Sequence, residues 1–150
     1  MKIKTFKGKL ADNAQNQIYL SGGESDEAYR IHKFQIFPAT PGVGDVENVL
    51  QIFSVRQTGN TSGTPDFSDD TLLGAAYLKE GAAVNHGVND VVVFDNIIFN
   101  QDIYITQRDM GNSTPGNGVA ANYYLELEEV KMSNPEAAVV NYKAALLHGE

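Results

Sequence analysis

The sequence predicts an all-β fold, an antiparallel sandwich or barrel of about eight strands followed by one short C-terminal helix. Three observations carry that expectation. Apolar and polar residues alternate with period two in segment after segment, as they do in strands with one buried face. Clusters of Gly, Pro, Asn, Asp and Ser separate those segments at short intervals, and no helical stretch lies between them to build parallel crossover units. With 150 residues, 42% of them hydrophobic and 20% charged, the chain can bury most of its unfolded surface in one core.

Taken in order, Lys2 to Leu10 alternates Lys with Ile, Thr, Phe and Gly and predicts a strand exposed on one side. Ile18 to Leu20 predicts a short second strand. From Tyr29 to Phe37 both alternating sets carry apolar residues (Tyr29, Ile31 and Phe37 against Phe34 and Ile36), the pattern of a central strand, and Pro38 ends it. Asn48 to Gln57 repeats that pattern. Leu72 to Lys79 gives a weaker strand, diluted by Gly74 and two alanines. The most β-prone stretch follows: Val91 to Phe94, Ile97 to Phe99 and Ile103 to Thr106 are β-branched or aromatic, and a strand pair joined by a tight turn is expected there. Ala120 to Met132 alternates cleanly, with Tyr123, Leu125 and Leu127 on one face and Tyr124, Glu126 and Glu128 on the other.

The helix is expected over residues 134–148. Asn134 can cap it, Pro135 suits the first helical position and Glu136 faces the positive end of the dipole. Val140, Ala144 and Leu147 then form one apolar stripe. Pro38 to Asp45, Thr58 to Asp70 and Met110 to Gly118 are surface loops. No shift of composition divides the chain, so residues 1–150 are expected to form a single domain, with the sandwich in 1–132.

Composition narrows the function. The chain has no cysteine, which excludes disulfides, thiolate metal sites and thiol nucleophiles. The first residues hold no apolar run of signal-peptide length, and no segment approaches a membrane span, so neither secretion by a cleaved signal nor membrane insertion is expected. The formal net charge is -8, and Lys2, Lys4, Lys7 and Lys9 supply four of the eleven basic residues. The remainder, seven basic against nineteen acidic side chains, would be repelled by phosphate backbones, so nucleic acid is not an expected partner. The four lysines are the candidate partner-binding residues. The competing reading is a strand whose lysines alternate outward and block unwanted pairing.

Candidate chemistry is sparse. His32, His86 and His148 lack the spacing of a helical metal motif, and no nucleophile elbow is present. Asp66, Asp69 and Asp70 share a Gly/Ser loop that could hold calcium, yet the EF-hand pattern is missing. Glu126, Glu128 and Glu129 suggest a solvated acidic stripe. Neither PGVGD nor GNGVA opens a nucleotide-binding helix. No catalytic residue, cofactor or metal is therefore expected, and the enzyme reading rests only on scattered Asp, Glu and His. Tryptophan is absent, which weakens a glycan-binding reading, although Tyr77, Tyr104 or Tyr124 could serve in part as an aromatic platform.

Two segments, VVVFDNIIFNQDIYIT from Val91 to Thr106 and ANYYLELEEVKM from Ala121 to Met132, resemble a pattern found in small virion proteins of marine tailed bacteriophages. The resemblance covers about a third of the chain. It implies a jelly-roll-like head decoration or cement protein, a homotrimer assembled in the bacterial host cytoplasm, that binds the major capsid protein on the capsid exterior and stabilises the shell. The alternative is a glycan- or receptor-binding module of a phage tail or another assembly.

Overall fold

Residues 1–20, 27–42, 44–81 and 87–132 are described by the computed structural model. They contain eight strands: β1 (Lys2–Leu10), β2 (Ala14–Ile18), β3 (Glu27–Pro38), β4 (Val46–Phe53), β5 (Leu72–Glu80), β6 (Val88–Val93), β7 (Ile103–Asp109) and β8 (Ala121–Lys131). No helix occurs among the described residues, and the helix expected over 134–148 lies outside them.

The strands form two antiparallel sheets, one in the order β1-β8-β3 and the other β2-β7-β4-β5-β6. The chain changes sheet at each of its first three connections and again between β7 and β8, the wrapping of a jelly roll. After β6 it crosses once more, because Phe99 exchanges both main-chain hydrogen bonds with Tyr29 on β3, at 2.8 and 2.9 Å. Between the layers, Leu50, Ile52, Ile103 and Ile105 of the larger sheet meet Ile31, Phe34, Leu125 and Leu127 of the smaller one. Each such side chain, once fully buried, contributes about 1.5–3 kcal/mol.

Four details differ from the sequence reading. The second strand is the polar AQNQI of β2, and only Ile18 of the expected segment belongs to it. Its amides hold a loop: Gln15 donates to the Gln57 carbonyl at 3.1 Å and accepts from the Gln57 amide at 2.9 Å. β3 is an edge strand, not a central one. A bulge between Ile31 and Lys33 flips the alternation, so that Tyr29 and Ile31 before it and Phe34 and Ile36 after it all face the same core. The double apolar set came from this phase change, and Phe37 is left 64% exposed. β4 stops at Phe53, four residues short of Gln57. The expected pairing after Val91 is absent as well: β6 and β7 are separated by β4 and β5, and β6 is a largely exposed edge strand.

The outer faces of the two sheets are unlike. On β4, Val49, Gln51 and Phe53 point away from the core and are nonetheless buried, because the loop of residues 54–71 lies over them; the Gln51 amide donates to the Ser62 carbonyl at 2.8 Å. On the smaller sheet, Lys7, Lys9, Lys33, Gln35 and Phe37 are exposed. That face carries no covering loop among the described residues.

Candidate functional site

The uncovered face is built row by row from the strand register. Opposite residues on β1, β8 and β3 are Lys9, Asn122 and Phe37; then Lys7, Tyr124 and Gln35; then Thr5, Glu126 and Lys33; then Ile3, Glu128 and Arg30. Directly opposed residues share a face, so all of these point outward. The last two rows form an ion-paired half. Arg30 Nε donates to Glu128 Oε2 at 2.6 Å, and His32 Nε2 stands 3.9 Å from Glu126 Oε1. Hydrogen bonding from Arg30 holds the Glu128 carboxyl below its usual range. The Tyr124 hydroxyl donates to Glu126 at 2.6 Å, which raises the phenol's pKa.

The first two rows carry Lys7 and Lys9, and Lys33 adjoins them from the third row, opposite Glu126. Lys7, Lys9 and Lys33 form no ion pair among the described residues, and Lys7 and Lys33 stand on either side of an open groove of about 1050 Å³. Lys7, Lys33, Gln35, Phe37, Asn122 and Tyr124 line it, and it extends past the free edge of β3 to Asn89 and Val91 on β6. Among the described residues the lining contains no carboxylate, and Glu126 adjoins it, bonded to the Tyr124 hydroxyl and opposite Lys33. Asn89 Nδ2 donates to the Ile36 carbonyl at 3.2 Å, tying the two edges together at that end.

The four lysines singled out in the sequence do not form one surface. Lys2 and Lys4 stand at even positions and Lys7 and Lys9 at odd ones, so the unbroken β1–β8 register sends the two pairs to opposite faces. Lys2 and Lys4 both approach Glu129, each at 3.4 Å. Lys4 also donates to Tyr29 Oη at 3.3 Å, the main cause of its raised pKa. Of the four, Lys7 and Lys9 point toward the open face, where Lys33, which no sequence pattern singles out, joins them.

A second polar cluster lies where the 110–119 loop meets the sandwich. The Asp12 side chain is fully buried. Its carboxylate accepts from Arg108 Nη1 at 3.1 and 3.3 Å and from the main-chain amides of Asp109, Gly116 and Gly118 at 2.7, 2.8 and 3.0 Å. Burial alone would raise its pKa, but these donors together outweigh it and hold the carboxyl below the ordinary value. Arg108 also donates to the Asp109 carbonyl and to the Asn112 carbonyl at 2.7 Å. Beside it the buried Gln107 accepts from Asn48 and donates to the carbonyls of Leu10 and Val119. With this many internal partners the cluster is an anchor for the loop. The only hint in the sequence was the charged Arg108-Asp109 pair ending an apolar strand.

The remaining candidates are dispersed. Asp66 accepts from the Ser68 amide and hydroxyl, and Asp69 from those of Thr71, so both carboxylates close local turns. Among the described residues no group of three or more His, Asp or Glu side chains is placed to hold a metal. His86 and His148 lie outside the described residues. Tyr104 is buried on the outer face of the larger sheet, with the Arg56 guanidinium 5.1 Å above its ring. Tyr77 is hydrogen-bonded to Glu47, which leaves Tyr124 as the tyrosine of the three that lines the groove.

No protein-family model matches the chain, and no curated protein does. Among solved structures there is a slight likeness to a candidate glycoside hydrolase from Bacteroides thetaiotaomicron, with 10% identity over 86% of this chain and a TM-score of 0.28. The chain spans 42% of that protein's length, and a likeness this slight carries no functional argument.

Proposed function

We propose that this chain is a docking protein of a virus particle, a capsid decoration or cement protein that sits on the outside of a tailed-phage head and reinforces it. The observation that carries the docking part is the contrast between the two sheet faces. One is covered over β4 by its own loop, while the other presents three lysines without ion pairs among the described residues and an exposed phenylalanine on a chain of net charge -8. A bare, oppositely charged patch suits association with a complementary surface. The capsid, the major capsid protein as partner and the homotrimer come from the resemblance of residues 91–106 and 121–132 to small phage virion proteins. Repeated over many copies, weak contacts would sum by multivalency.

The test is co-sedimentation of purified protein with undecorated heads of the phage that encodes it, followed by heating of the particles. Saturable binding that raises the temperature of head disruption is the expected result. Heads that neither capture the protein nor gain stability would refute the reading. A glycan-binding role is the second reading, favoured by Tyr124, Gln35 and Asn122 in the groove, and a glycan array run with and without chelator distinguishes the two.

A further inference from the structure

The groove has a chemical bias that narrows its partner. Two of its walls carry ammonium groups, Lys7 on β1 and Lys33 on β3, with β8 between them. Gln35 and Asn122 add amide donors, and no carboxylate of the described residues lines it. A lining rich in donors calls for a ligand rich in acceptors. A neutral sugar, whose hydroxyls must also donate, would lack carboxylate acceptors here. Lys7 stands opposite Tyr124 and Lys33 opposite Glu126, so the two lysines lie two strand spacings across and one row along, about 12 Å apart, while same-side residues of an extended peptide recur every 7 Å or so. Flexible lysine arms reaching inward over Tyr124 close that difference. At the far end Phe37, 64% exposed, and Val91 offer an apolar seat. The acidic body repels an acidic partner everywhere else, which would steer it to this patch.

We infer that the groove between Lys7 and Lys33 takes an extended acidic protein segment, with alternate carboxylates on the two lysines and an apolar side chain on Phe37. This rests on the docking reading and names the chemistry of its partner.

The test is fluorescence anisotropy with the whole chain and a labelled synthetic peptide of alternating Glu and Ser ending in Leu. The same peptide with Gln for Glu, and polygalacturonate, serve as comparators. The Glu peptide is expected to bind, to weaken as salt rises, and to lose about tenfold or more in affinity to the K7E/K33E protein. Lys2→Ala, on the opposite face, should bind as the parent does. Circular dichroism of each variant verifies folding. Equal binding of the Gln peptide, unchanged affinity of K7E/K33E, or stronger binding of polygalacturonate than of the Glu peptide at matched charge would each overturn the inference. Sedimentation with heads separates the two ideas: equal capture of parent and K7E/K33E sinks the groove alone, and no capture of the parent sinks the docking reading.

Discussion

Replacing Asp12 with alanine removes the acceptor on which one end of the sandwich closes. The substitution strands the Arg108 guanidinium, whose side chain is 8% exposed, and the buried Asp109 amide. The amides of Gly116 and Gly118 lie nearer the surface and can be rehydrated. Breaking a buried ion pair by deleting one partner costs about 3–5 kcal/mol, and an orphaned buried amide about 1–3 kcal/mol. These overlap at one carboxylate, so about 4 kcal/mol in total is expected, a large share of the roughly 5–15 kcal/mol that holds a domain together. For a chain of this length that lowers the melting temperature by roughly 8–16 °C. Chemical denaturation followed by circular dichroism measures it directly. The depressed carboxyl pKa adds a pH signature. A carboxyl whose folded pKa lies below its unfolded value of about 3.9 stabilises fully above that value, and the contribution is lost as pH falls through the folded pKa. The stability gap between the parent and Asp12→Asn should therefore be widest near neutrality and narrow below about pH 4. A loss under about 1 kcal/mol in Asp12→Ala, or a pH-independent gap, would refute this account.

Further outcomes follow from the same packing. Gly8 faces the Tyr123 ring so closely that an added Cβ would stand 2.7 Å from Tyr123 Oη, so Gly8→Val should destabilise by about 1–3 kcal/mol through overpacking, read from a denaturant midpoint. Gln107→Leu removes the side-chain donor to the Leu10 carbonyl and one of two partners from Asn48 and from the Val119 carbonyl, which keep each other at 3.0 Å, and a loss of about 1–2 kcal/mol is expected in the same assay. Lys2→Ala breaks an ion pair whose lysine is 81% exposed, and the melting temperature should stay within error of the parent's. In native-state hydrogen exchange, the amides of β4 and β7, at the centre of the larger sheet, should be the slowest, and those of the exposed edge β6 should exchange far sooner.

Much of this protein was legible in its sequence because alternation is a local property. The segments 2–10, 72–79 and 120–132 fall within a residue or two of β1, β5 and β8, since each side chain's face follows from its neighbours two positions away. The inward set Tyr123, Leu125 and Leu127 could likewise be read directly from the pattern. What failed was whatever depends on the partner strand. The bulge at His32 turned two half-patterns into an apparent central strand, and nothing in residues 29–37 alone distinguishes a phase change from burial on both sides. The strongest β-formers, Val91 to Val93, became an exposed edge because β-propensity reports fitness for a pleated surface and not position within a sheet.

The groove shows the same division. That Lys2 and Lys4 oppose Lys7 and Lys9 was already present in their parity, an elementary consequence of the strand repeat. That Lys33 approaches Lys7 across β8, while the 54–71 loop covers β4 of the other sheet, required the tertiary fold. So did the meeting of Asp12 with Arg108, 96 positions later in the chain. Sequence alone determined which residues must leave water, since hydrophobicity and strand periodicity act residue by residue. Only the folded structure decided which polar groups meet, because antiparallel register and sheet order bring together positions whose separation along the chain holds no trace of their proximity.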